Sequence, residues 1–324
     1  MASTSSTTGD SSPTTGDTSP TTGDTTQTTG DTGSTRRDTR ATRRAARTTR
    51  PARKIWSTTA LFLGALVFLF PFYYMIVGSL QKKPDTSLKG AFPTGGLTLH
   101  NYAEINSRVD LVQSLLNSGI FTGGVLLGTV LFGVLAGYAL ARLHFRGRGT
   151  VFAVMLLVQI VPFQLLIIPI YVMIVRTYGL ADSYAGMIVP FLINSTAVFV
   201  FRQFFLALPD DLFSAAQLDG AGELRILWSV ALPLVRPALL TVVLLTFIGP
   251  WNEFLWPFLV TKDQSLQPLA VTLANYISNI AGRASNPFGA ILAGAVVLAA
   301  PAVALFVVFQ RRFTASEISS GVKG

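Results

Sequence analysis

The chain contains 0 cysteines, which excludes a disulfide framework and any thiolate metal site. Its 2 histidines, His100 and His144, are too few and too far apart to build a histidine-based metal centre. Charge is scarce as well. Only 13% of residues are Asp, Glu, Lys or Arg, against 50% apolar, and the mean hydropathy is +0.51 over 324 residues. That balance leaves too little polar surface for a water-soluble domain and reads as a polytopic membrane protein. No Gly-x-x-x-x-Gly-Lys-Ser/Thr loop occurs, so this chain does not bind ATP in the P-loop manner. A Gly-x-Ser-x-Gly elbow and a His-Glu-x-x-His helix are missing too, and no enzyme, cofactor or metal is indicated.

What is present begins with a peculiar tail. Residues 1–49 hold almost no large apolar side chain, and TTGD recurs at Thr7, Thr14, Thr21 and Thr28, a low-complexity pattern expected to stay disordered. The regular spacing offers no apolar a/d pair, so a coiled coil fails on content. From Arg36 the tail turns basic, "RRDTRATRRAARTTRPARK". The acidic TTGD repeats argue against a mitochondrial transit peptide, and a juxtamembrane anchor facing the cytoplasm is the better reading. The net charge of +9 therefore reports topology rather than nucleic acid, since the basic residues crowd into this tail and the short loops.

Apolar runs follow at 55–80, 111–141, 150–175, 184–205, 234–260 and 288–309, each long enough for the roughly 20 residues of a membrane-crossing helix. Lipid offers the backbone no hydrogen-bond partner, so these runs predict helices, and they are too continuous for the strands of an outer-membrane barrel. The fold class expected is an all-α polytopic membrane protein with six transmembrane helices. Most of the 25 Lys and Arg fall on the side that holds the N-terminus, Arg283 being among the exceptions, which puts both termini in the cytoplasm. The expected division is a tail over 1–54, a transmembrane domain over 55–313 and a C-terminal tail over 314–324.

Polar side chains inside these runs are few. Glu253, next to Asn252 in "FIGPWNEFLWPFLVT", is the exceptional charge; it either marks a transport pathway or reaches water at the outer end of its helix. Trp251 and Trp256 fit an interfacial belt. Gln159, Gln164 and Asn194 lie deep in spans three and four, where an amide either joins helices or lines a polar passage. Pro162 and Pro169 share a helical face and predict a kink.

Between spans four and five the chain interrupts itself with "FSAAQLDGAGELRILWSVALPL". Pro209 ends the fourth span, Asp210 or Asp211 is placed to cap a short helix, and Asp219-Gly220 supplies its stop. A second helix, from about 222 to 231, then runs into Pro233, with Leu224, Leu227, Trp228 and Ala231 as an apolar stripe. The spacing predicts a cytoplasmic helix-turn-helix over about 210–232 that lies on lipid or docks into a partner's groove.

"SAAQLDGAGELRILWSVALPLVRPAL" resembles the EAA motif of the permease subunits of binding-protein-dependent ABC importers: Glu-Ala-Ala, three residues, Gly, nine residues, Ile-x-Leu-Pro. Ala215, Ala216, Gly220, Val230, Leu232 and Pro233 occupy matching positions, and Asp219-Gly220-Ala221 matches the fuller form. "NSGIFTGG", "AGYALARLHFRGR", "WNEFLWPFLVT" and the terminal "GVKG" resemble the carbohydrate-specific, maltose-type (MalG-like) branch. The resemblance covers roughly residues 55–324. It implies half of a type I importer. Its partners would be a second homologous permease, two cytoplasmic ATP-binding subunits and an extracytoplasmic sugar-binding protein in a bacterial cell membrane. It also implies that the insert is a coupling helix seated on an ATPase, moved by ATP binding so that the permease pair switches from inward- to outward-facing. Ser214 departs from the family's Glu and removes a carboxylate that meets an arginine on the ATPase, while "GVKG" resembles a tail reaching between the ATPase subunits. Two other readings compete: an ion-coupled secondary transporter using Glu253, and a membrane scaffold binding cytoplasmic proteins.

Overall fold

A computed structural model describes residues 50–85, 87–93, 96–279, 282 and 287–320. The TTGD repeats, Arg283 and the terminal GVKG lie outside them. The described residues divide into two units, on either side of the Ala65–Leu66 boundary. Among the described residues the architecture is helical: α1 Arg50–Ser79, α2 His100–Val109, α3 Leu111–Arg142, α4 Arg148–Val158, α5 Phe163–Tyr171, α6 Tyr184–Ile188, α7 Ser195–Leu206, α8 Asp210–Leu218, α9 Glu223–Ile226, α10 Arg236–Asn252, α11 Leu255–Val260, α12 Leu269–Asn279 and α13 Pro287–Ser320.

Three stretches, Trp56–Ser79, Leu111–Arg142 and Pro287–Gln310, are each one helix long and apolar enough to cross a membrane. The others expected to be single spans are broken. Between α4 and α5 the axis turns by 96°, because Pro162 adopts an extended conformation ahead of Phe163 and has no N–H to continue the helix. Pro169 stays inside α5, and the chain continues as a π-helical turn over Val172–Thr177. The fourth run bends by 49° between Phe191 and Ser195. Asn194 starts α7 there by accepting from the Ala197 N–H at 3.1 Å. The fifth run begins only at Arg236 and stops at Glu253, whose extended backbone separates α10 from α11.

The central element is α3. Small residues on one of its faces let α7 approach closely, as in membrane helix pairs generally. A Cβ built on Gly137 would lie 2.7 Å from the Phe201 Cβ and 3.1 Å from the Arg202 nitrogen. Gly137→Val is therefore expected to force the helices apart at a cost of about 1–3 kcal/mol. The check is thermal melting in detergent against Gly123→Val, where a Cβ meets no heavy atom within 4 Å. Equal midpoints for the two variants would contradict close α3–α7 packing.

At its other end α3 anchors loops. Asp110 caps it, accepting from the Gln113 N–H at 3.1 Å. Asn117, fully buried, donates to the carbonyls of Ser265 and Gln267 at 2.8 and 3.0 Å, and its oxygen accepts from Tyr184 and Gln113. One amide thus satisfies backbone that would otherwise be costly to bury. The two tryptophans expected at an interfacial belt are both buried by protein. Trp251 donates to the Leu298 carbonyl at 2.8 Å, and Trp256, 0% exposed, donates to Gly186 and Met187 at 3.2 Å each.

Candidate functional site: a helical insert and a central cavity on one helix

The insert forms where expected and is built on two anchors. Its first helix, α8, starts after Pro209; neither Asp210 nor Asp211 caps it, and both sit in its first turn. That corrects the capping expectation, and the reason is Arg142: the Asp210 carboxylate is taken up by the guanidinium. Acidic groups at those positions still favour the positive end of the helix dipole. The stop is a Schellman turn. Gly220 takes φ +76°, its N–H donates to the Gln217 carbonyl and that of Ala221 to the Ala216 carbonyl, both at 3.0 Å.

From Gly222 the chain enters α9, loosens into a π-turn over Leu227–Ala231, and passes through Leu232–Leu234. It then turns by 79° into α10. The stripe expected on this helix divides between two environments. Leu227 and Ala231, with Ile226, are buried against Val134, Tyr138, Ala141, Phe201 and Phe205 of α3 and α7. Leu224 and Trp228 remain 67% and 48% exposed, and Leu218 on α8 reaches 88%. The insert therefore packs on α3 and α7 of its own chain. Ala216, Ala221 and Leu232 lean on that same core, whereas Ser214, Ala215, Asp219, Gly220 and Pro233 are exposed. The Ser214 hydroxyl donates back to the Asp210 carbonyl at 3.2 Å.

Two residues near the end of α3 hold the insert, and the sequence reading assigned neither a role. Arg142, its side chain 12% exposed, donates from Nε and Nη2 to the Phe205 carbonyl at 3.0 and 2.6 Å. The same Nη2 reaches the Leu208 carbonyl, Nη1 reaches the Asp210 carboxylate, and the guanidinium carbon lies 4.1 Å from the centre of the Phe213 ring. One turn earlier the Tyr138 hydroxyl donates to the Glu223 carboxylate at 2.7 Å. Both stand in the stretch AGYALARLHFRGR that carries the resemblance, but that stretch names no role for either.

Roughly four to five turns closer to the start of α3, beside Phe121 and Val125, lies a cavity of about 460 Å3. It brings together three of the residues expected on a passage: Gln159 from the break after α4, Asn194 from the break before α7, and Glu253 from the break after α10. Gln159 also does the joining work of an interhelical amide, donating to Thr196 Oγ1 at 2.8 Å. The Glu253 carboxylate is half-buried and accepts from the Trp256 N–H at 3.2 Å, holding the start of α11. Ser195, Thr196 and Thr246 add hydroxyls, and the rings of Phe163 and Phe191 line it too, tilted against each other with centres 5.1 Å apart. Gln164 and Asn252 are exposed outside this cavity, Asn252 donating to the Ile248 carbonyl at 3.0 Å. Thr196, Thr246 and the phenylalanines were missed, since nothing in an apolar run tells which small hydroxyl or ring faces a cavity.

Residues 129–316 match the family described as binding-protein-dependent transport system inner membrane component. The arabinooligosaccharides transport system permease protein AraQ of Halalkalibacterium halodurans is 32% identical over 264 residues, 80% of this chain and 93% of that protein. The sn-glycerol-3-phosphate transport system permease protein UgpE of Yersinia pestis is 30% identical, with 80% and 94% covered. A solved bacterial ABC transporter involved in the import of the acidic polysaccharide alginate superposes with TM-score 0.72 at 25% identity, over 82% of this chain and 98% of that one.

Proposed function

The chain belongs to the binding-protein-dependent transport system inner membrane components, and from that premise we propose that it is the membrane-spanning subunit of an ATP-driven saccharide importer. The observation that carries the reading is the placement of a polar, aromatic-walled cavity and an exposed helical insert on the same helix, α3. Such a helix can relay a push on the insert to the walls of a binding site. In this reading the bent helix pairs complete six spans, both termini are cytoplasmic, and a second permease closes the open side of the cavity. Two ATPase subunits seat the insert, and an extracytoplasmic binding protein delivers the sugar.

The cavity also narrows the cargo. Amides, hydroxyls and aromatic faces suit a neutral polyhydroxylated ligand, and the one charged group among the described lining residues is the Glu253 carboxylate. A phosphate, as carried by the glycerol-phosphate relative, would meet a negative charge there with no cation to offset it. A neutral sugar or oligosaccharide, such as the arabino-oligosaccharides named for the other relative, fits better.

Uptake into proteoliposomes holding the full complex tests this. Transport that requires ATP inside the vesicle supports an ATP-driven importer, and transport that follows a proton or sodium gradient without ATP overturns it. Glu253→Gln sharpens the comparison. A glutamine oxygen can still accept from the Trp256 N–H, so ATP-driven uptake is expected to stay within about threefold of wild type. A coupling carboxylate would lose gradient-driven uptake altogether.

A further inference from the structure

The insert is joined to the spans on either side of it by weak links. Residues 207–209 connect α7 to α8 and end in Pro209, which cannot continue a helix. On the far side the chain passes through a π-turn and bends by 79° before α10. Neither link can transmit a push along continuous helix. The stiff connections run instead to α3, where Arg142 holds α8 and Tyr138 holds α9 through Glu223.

From this we infer that Arg142 is the positioning residue that makes the insert, α3 and α7 move as one body when the insert is displaced, an inference that rests on the importer reading. The guanidinium gathers four separate groups: the Phe205 carbonyl in the last turn of α7, the Leu208 carbonyl in the link that follows, the carboxylate in the first turn of α8, and the face of Phe213 beneath. Its planar fork suits this, because a lysine ammonium is a single point charge and cannot span carbonyls and carboxylate together. Burial of the guanidinium limits competition from water at the two carbonyls, while the Asp210 carboxylate faces solvent. The close packing of Gly137 on Phe201 then carries the motion from α3 into α7, and with it to the cavity wall at Asn194 and Thr196.

The test uses the whole importer in proteoliposomes, with its binding protein purified from host cells in the sugar-loaded form. ATP hydrolysis is measured with and without that protein. In Arg142→Gln, assembly and basal hydrolysis are expected to remain within about twofold of wild type, while stimulation by the loaded binding protein falls about tenfold, a usual size for coupling between sites. Arg142→Lys, which keeps the charge facing Asp210 but loses the fork, is expected to fall between the two. Stimulation retained by Arg142→Gln overturns the inference. So does a parallel loss of assembly, basal and stimulated rates in both variants, which a purely structural clamp would give. A wild-type complex with no stimulation at all would instead count against the importer reading.

Discussion

Thr246→Trp is expected to cut saccharide uptake by at least about tenfold while leaving association with the ATPase subunits unchanged. Thr246 lines both the main cavity, about 460 Å3, and a smaller neighbour of about 220 Å3, and Asn194 and Thr196 line the two as well. An indole at this position has space already present to occupy. It therefore displaces ligand before it displaces protein. Thr246 lies about one turn beyond Val242, which with Ala238 packs α10 on the core nearer the insert and also lines the smaller cavity. The insert is anchored from α3 and lies on the opposite side of those contacts, so its docking surface stays as it was. Uptake and ATPase co-purification should separate cleanly. Thr246→Ser, which keeps the hydroxyl and the space, is the control. If the Trp variant transports within twofold of wild type, the cavity is not on the path of the sugar.

How far the sequence reveals this arrangement differs from one element to another. The long spans α1, α3 and α13 were legible, because twenty or more apolar residues have few other uses. The broken spans were legible as apolar runs but not as breaks. Pro162 announced its own, whereas the stops at Asn194 and Glu253 look in sequence like isolated polar residues within a helix. That ambiguity is physical: a polar side chain that caps a helix end and one that joins two helices have the same composition. The breaks are also what gather the cavity, since Gln159, Asn194 and Glu253 each lie at one. Gln164 and Asn252, as polar and as deep in their runs, sit within helical turns and miss it. Burial of the tryptophans was not legible either: the carbonyls of Gly186 and Met187 that accept from Trp256 come from a distant run. Arg142 shows in sequence only as a basic residue at the end of an apolar run, since periodicity does not show which carbonyls a guanidinium will reach.

Gly220→Val is expected to reduce ATPase co-purification by at least about tenfold from a chain that still folds and inserts. At φ +76° a β-branched residue is strained by about 1–2 kcal/mol. Relief of that strain requires a different turn, at the expense of the bonds from Gly220 and Ala221 to Gln217 and Ala216. The angle between α8 and α9 would change with it, carrying the exposed Leu218, Asp219 and Leu224 away from their positions. Folding should survive because Phe213, Ile226, Leu227 and Ala231 are buried below the turn and do not depend on it. Gly220→Asn separates two causes. Asparagine tolerates the left-handed region, so it keeps the turn while adding a side chain. A Cβ at Gly220 meets no heavy atom of this chain within 4 Å, so any clash it makes is with a partner. Co-purification retained by Asn and lost by Val means that the partner reads the backbone turn. Loss in both means that it packs directly on the glycine. Loss in neither would remove the turn from the docking surface, and with it the idea that this insert couples the pore to ATP. Under the importer proposal the turn, rather than an ion pair, is expected to carry the docking, because Ser214 holds the position where the family has a carboxylate and its hydroxyl is already bonded within α8.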